Sequence, residues 1–139
     1  MEVLLVEDNP GDVVLIKEGF REGKFDNTIH TAEDGVEAMA FLRKEGQHTD
    51  KPRPDLVLLD INLPRKNGHE VLQEIKNDSD LKMLPVVMLT TSDRMEDIRK
   101  SYASHVNAYM TKPVNLGDLM EAVKAIESFW FEFVKLPPK

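Results

Sequence analysis

Five short apolar runs, each followed by a longer amphipathic stretch, constrain this chain more than any other feature of its sequence. The runs occupy residues 3–6, 28–32, 55–59, 85–89 and 107–110, the second being the weakest. The stretches between and after them cover residues 12–22, 35–45, 67–77, 93–104 and 116 to about 130. Their apolar residues recur at helical spacing, as with Ala38, Met39 and Leu42 or Val71, Leu72 and Ile75. Strand followed by helix, five times over, predicts parallel strands joined by crossover helices. The run Leu56-Val57-Leu58-Leu59 is apolar at successive positions, as expected of a strand covered on both faces. Residues 46–54 are polar with two prolines and read as a surface loop.

With 139 residues there is room for one domain with a proper core. The absence of cysteine excludes disulfides, thiolate metal sites and a cysteine nucleophile. A net charge of −7 disfavours nucleic acid and anionic lipid as partners. No apolar run approaches the roughly 20 residues that span a bilayer, and the first residues lack a basic leader. The expectation is a soluble cytoplasmic protein that engages neither nucleic acid nor membrane.

In an open parallel sheet, ligands bind beyond the carboxyl ends of the strands. Glu7 and Asp8 follow the first run, Asp60 the third and Thr90 the fourth; Lys112 stands two positions after the fifth. One acidic residue at a strand end is ordinarily a solvated loop residue. An acidic pair, a lone Asp, a Thr and a Lys, each at its own strand end, describe a site. If the first and third strands are neighbours, three carboxylates converge and require positive charge among them. Lys112 offers one such charge. A hard divalent cation offers another, and Mg²⁺ suits a site with few carboxylates and retained waters.

Several segments carry a family resemblance: Leu4-Leu5-Val6-Glu7-Asp8-Asn9, the stretch from Asp55 through Asp60 and Asn62 to Pro64, Asn67-Gly68, Val87-Met88-Leu89-Thr90-Thr91, and Ala108-Tyr109-Met110-Thr111-Lys112-Pro113. No one of them is specific alone; in this order and spacing together they are. The chain resembles the receiver domains of two-component response regulators over essentially its whole length. The resemblance implies a doubly wound, flavodoxin-like α/β fold with five helices and a parallel sheet of strand order 2-1-3-4-5. It implies a phosphoprotein of phosphorelay signalling that takes a phosphoryl group from a histidine kinase onto Asp60. Such a protein is not an enzyme on other molecules; it catalyses only its own phosphorylation and dephosphorylation. By the same resemblance Asp8, Asp60 and the main-chain carbonyl of Asn62 ligate Mg²⁺, and Glu7 acts through a bound water. Lys112 pairs with Asp60 or the phosphoryl oxygens. Thr90 and Tyr109 form the conformational switch, and the Lys112–Pro113 bond is expected to be cis. A histidine phosphotransfer protein is a further partner the family allows.

The loop over residues 46–54 and the aromatic tail narrow the resemblance to regulators paired with cyanobacterial and bacterial phytochromes. The expected organisation is a receiver over residues 1–128, without an output domain, and a tail over residues 129–139. In the tail, Phe129, Phe133 and Leu136 would share one helical stripe and Trp130 and Val134 another. Two stripes exceed one buried face, which points to a homodimer contact through Phe129, Trp130 and Phe133.

Three other functions fit less well. An aspartyl-phosphate phosphatase would need an acid two positions after Asp60, where Asn62 stands. A flavin-binding module would need a phosphate-cradling first loop, and Glu7-Asp8-Asn9-Pro10 is acidic. A scaffold that is never phosphorylated would not need Asp60, Thr90 and Lys112 together.

Overall fold

The computed structural model describes residues 1–139. Five strands, β1 (Glu2–Val6), β2 (Thr28–Ala32), β3 (Leu56–Leu59), β4 (Val86–Thr90) and β5 (Ala108–Thr111), form one parallel sheet. Their order is β2-β1-β3-β4-β5, as the sequence leads one to expect. The helices are α1 (Pro10–Arg21), α2 (Gly35–Leu42), α3 (Gly68–Asn77), α4 (Met95–Ala103) and α5 (Leu116–Glu127). The 46–54 loop holds a single 3-10 turn, Gly46–His48.

The sheet divides the core into two layers because alternate strand residues face opposite ways. Leu4, Val6, Val57, Leu59, Val86 and Met88 meet α2 and α3 on one side. Val3, Leu5, Leu56, Leu58, Val87 and Leu89 meet α1 and α5 on the other. Ile16 and Phe20 turn the inner face of α1 to the sheet, whereas Val14 lies outside. Close approach of α1 to α5 needs Gly19, where a Cβ would stand 2.9 Å from Val123.

Capping fixes where four of the helices begin. Asn9, Asp34, Asn67 and Asn115 accept hydrogen bonds from backbone N–H groups in the first turns of α1, α2, α3 and α5. Asn67 and Glu70 form a reciprocal capping box.

Two expectations are corrected. The Lys112–Pro113 bond is trans, since the chain contains no cis peptide. Trans is the preferred X–Pro isomer by about 0.5–1 kcal/mol. The turn also has less to do than the sequence suggests: β5 runs on to Thr111, and the Lys112 N–H already reaches the Thr90 carbonyl at 2.6 Å. The second correction concerns the tail. The α-helix stops at Glu127 and continues as a π-helical turn, Ser128–Phe133, closed by Val134 N–H on the Phe129 carbonyl at 3.0 Å. The wider turn breaks the expected stripes and directs Phe131 inward. Its ring packs edge-on to Phe25 with centroids 6.1 Å apart. Trp130 and Leu136 lean on the same layer, while Phe129 and Phe133 remain exposed. The tail then runs along the amino-terminal end of the sheet, where the Lys139 ammonium pairs with Asp55 at 3.0 Å.

Candidate functional site

Strand register builds the site. Val6 pairs with Leu59, so the next residues, Glu7 and Asp60, leave the sheet side by side. Their own N–H groups extend the ladder, Glu7 to the Ala32 carbonyl at 3.0 Å and Asp60 to the Val6 carbonyl at 3.1 Å. Thr90 pairs with Thr111 at the last rung of β4 and β5 and delivers Lys112 to the same end of the sheet. All four groups are buried: Glu7 is 2% exposed, Asp60 7%, Thr90 0% and Lys112 7%. Asp8 is exposed at the rim.

Carboxylate oxygens of Glu7, Asp8 and Asp60 lie within 4.8 Å of one another. The Lys112 ammonium donates to Glu7, to Asp12 at 2.9 Å and to Asp60 at 3.1 Å. The sequence reading did not include Asp12. It lies in the first turn of α1, where an acidic residue reads as a favourable partner of the helix dipole. The signal that could have found it is a third carboxylate four residues beyond the Glu7-Asp8 pair, on a helix starting over the site.

The electrostatics follow from burial. Desolvation pushes the Glu7 carboxyl up from 4.5 to about 7; the Lys112 hydrogen bond opposes this and the Asp60 charge adds to it. For Lys112, burial works against the charge. The hydrogen bonds to Glu7 and Asp12 and the charge of Asp60 outweigh it and hold the ammonium well above its ordinary range. Lys112 is therefore a fixed positive charge, whereas Glu7 can take up or lose a proton near neutrality.

This donor set suits a hard divalent cation. The ligands are all oxygens, one of them is an exposed carboxylate, and the carbonyl of Asn62 accepts no hydrogen bond within the chain. The Asp60 Oδ1 accepts a long bond, 3.4 Å, from the Asn62 N–H. The β3–α3 loop is drawn tight over Asp60 because Gly68 donates to the Ile61 carbonyl at 2.8 Å. A Cβ at Gly68 would stand 2.2 Å from the Asp60 carbonyl oxygen, so only glycine fits.

On the Thr90 side, the Tyr109 ring is half-buried and packs on the α2–α3 layer. Its hydroxyl donates to the Ser92 carbonyl at 2.9 Å, an inward position. Ser92 also places its N–H 3.4 Å from Thr90 Oγ1 and donates its hydroxyl to Asp97 at 2.5 Å. Sequence reasoning missed Ser92, Asp97 and His69, which joins them through Asp97. Each is an ordinary polar residue of its own segment, and only the fold assembles them. The expected dimer residues lie away from this site: Phe129 is 55% and Phe133 72% exposed, and Trp130 is half-buried.

Comparison with known proteins supports the geometry. Residues 3–124 match the response regulator receiver domain. The chain is similar to the response regulator Rcp1 of Synechocystis sp., with 50% identity over 97% of this chain and 92% of the relative. Among solved structures it is similar to the phosphorylated cyanobacterial phytochrome response regulator RcpA, at 50% identity and a TM-score of 0.96, covering 99% of this chain and 98% of that one. It is equally similar to the Mn²⁺-bound form of Rcp1, at 50% identity and a TM-score of 0.94, covering 99% of each chain.

Proposed function

The chain belongs to the response regulator receiver family, and on that premise we propose that Asp60 accepts a phosphoryl group in a Mg²⁺-dependent reaction with a sensor histidine kinase. The observation that carries this reading is the placement of Asp60. Its buried carboxylate shares a 4.8 Å cluster with Glu7 and Asp8 and sits 3.1 Å from the Lys112 ammonium. An Asp60 oxygen attacks phosphorus, and the P–N bond to the donor imidazole breaks. The leaving imidazole keeps the electron pair and takes up a proton. The product is an acyl phosphate. Lys112 neutralises charge on the transferring group as a point charge suited to phosphate. Asp8, Asp60 and the Asn62 carbonyl would hold the cation, and Glu7 would act on it through a water. When bound, Mg²⁺ supplies positive charge to the phosphoryl oxygens and offsets carboxylate repulsion. A similar protein solved in a Mn²⁺-bound form and another solved phosphorylated support a divalent cation and phosphoryl transfer in this reading.

The phosphoryl group then recruits the Thr90 hydroxyl, and the Tyr109 ring follows it, so the signal passes to protein partners. The kinase is phytochrome-linked, in keeping with the relatives, and a histidine phosphotransfer protein is a second partner in a relay. Residues 1–128 act as the receiver and 129–139 as the tail. Phe129, Trp130 and Phe133 join two copies on the α4–β5–α5 side. The protein works in the cytoplasm and catalyses only its own phosphorylation and dephosphorylation. The phosphatase alternative stays disfavoured because Asn62 cannot donate a proton as an acid.

The test is incubation with a small-molecule phosphodonor and Mg²⁺. One phosphoryl group per chain is expected, lost on chelation of the cation and absent from Asp60→Asn. Undiminished uptake by that variant would exclude Asp60 as the acceptor.

A further inference from the structure

A chain of hydrogen bonds outside the acidic pocket ties α3 to the segment following Thr90. His69, the second residue of α3, is buried at 6% exposure. Its Nε2 lies 3.0 Å from Asp97 Oδ1 and donates to it. Its Nδ1 is buried without a partner, so Asp97 is the ring's sole polar contact. The other oxygen of Asp97 accepts the Ser92 hydroxyl, and the Ser92 carbonyl accepts the Tyr109 hydroxyl. The hydrogen bonds from Ser92 and His69 keep the Asp97 carboxyl below its ordinary range.

Two features give this chain of bonds mechanical weight. His69 has a rigid mount, because its neighbour Gly68 is pressed against the Asp60 carbonyl. Helix α4, in contrast, begins without a capping side chain, unlike the other four helices, and buries only Ser101. Asp97, in the first turn of α4, therefore supplies the anchor that capping and apolar burial do not. Without it, Ser92 keeps two long contacts of 3.4 Å, its N–H to Thr90 Oγ1 and the Arg94 N–H to its own hydroxyl, and the hydroxyl of the mobile partner, Tyr109.

We propose that His69 is a positioning residue for the Thr90–Tyr109 switch, fixing Ser92 through Asp97 so that the Ser92 carbonyl stands ready to receive the Tyr109 hydroxyl and favours the inward position of the ring. The proposal rests on the reading of Thr90 and Tyr109 as a switch. It makes the resting balance of that switch a property of α3, not of the acidic pocket alone.

The test uses 3-fluorotyrosine incorporated in a Tyr102→Phe background, which leaves Tyr109 as the single fluorine-bearing position. The fluorine shift and its solvent-isotope effect report the inward-to-outward ratio in the full, unphosphorylated chain. His69→Leu is expected to move that ratio outward by roughly three- to tenfold, the net effect of weakening one ordinary hydrogen bond, here that of the Tyr109 hydroxyl to the Ser92 carbonyl. His69→Gln keeps a donor and should recover most of the effect. Asp97→Ala should reproduce it, and adding His69→Leu to Asp97→Ala should change nothing further. The proposal is overturned if the Tyr109 signal stays put in His69→Leu and Asp97→Ala while only the urea midpoint falls. It is equally overturned if His69→Leu acts in full without Asp97. Should His69→Leu fail to fold, His69→Gln and Asp97→Ala still decide. Because no phosphoryl group is used, failure of Asp60 phosphorylation would show separately.

Discussion

At the residue scale, the site holds one buried positive charge, on Lys112, against Glu7, Asp12 and Asp60. Removing one member of such a group leaves the others unpaired and costs more than the group contributes as a whole. Glu7 titrates in an accessible range. Its folded pKa, about 7, lies above the ordinary 4.5. A group raised in this way contributes stability that is fully present below the lower value and is lost as pH rises through the upper one. The metal-free protein should therefore lose part of its stability between about pH 5 and pH 8 through Glu7. Urea unfolding at several pH values in chelator is expected to show a steeper fall for the native chain than for Glu7→Gln. Added Mg²⁺ should shrink the difference by favouring the ionised carboxylate. Identical slopes for the two proteins would mean that Glu7 does not titrate there. Asp12 shows why this charge balance was only partly legible in sequence. Glu7, Asp8 and Asp60 directly follow apolar runs, whereas Asp12 is brought in by the angle of a helix.

At the scale of elements, the start of α3 is the critical joint. Asn67 caps it, Gly68 touches the Asp60 backbone and His69 reaches α4. Gly68→Ala would force a Cβ into the Asp60 carbonyl, and such overpacking costs about 1–3 kcal/mol. The expected outcome is a lower urea midpoint together with slower phosphoryl uptake, because the displaced atom belongs to the acceptor residue. A variant with normal stability and normal uptake would show that the loop yields freely. The strands and their order were legible because parallel strands buried on both faces leave continuous apolar runs, as at Leu56–Leu59. The π-helical turn was not. Aromatic residues at i and i+4 suit an α-helix equally well, and only the pocket beside Phe25 favours turning Phe131 inward. The His69–Asp97–Ser92 linkage was hidden for a related reason: its members lie on three segments and none departs from ordinary surface chemistry.

At the scale of the whole molecule, the acidic site and the aromatic tail occupy separate regions. The tail returns Phe131 to its own core, leans one side of Trp130 and of Leu136 on it, and leaves Phe129 and Phe133 outside. An exposed aromatic pair at the end of α5 accounts for the proposed pairing of two copies without blocking Asp60. Sedimentation equilibrium is expected to find dimers of the native chain. Phe129→Ser with Phe133→Ser should weaken association by at least roughly tenfold, the effect expected of buried aromatic anchors. A native chain that stays monomeric at high micromolar concentration would contradict the pairing. The central claim, that this geometry makes Asp60 the acceptor, is tested most directly by mapping the modified residue. Borohydride reduces an acyl phosphate to an alcohol and leaves free carboxylates and phosphate esters unchanged. After incubation with a small-molecule phosphodonor, peptide mapping should find the reduced side chain at Asp60 alone, and only when Mg²⁺ was present. Reduction at Glu7, Asp8 or Asp12, or a borohydride-stable phosphate on Thr90, would contradict the account.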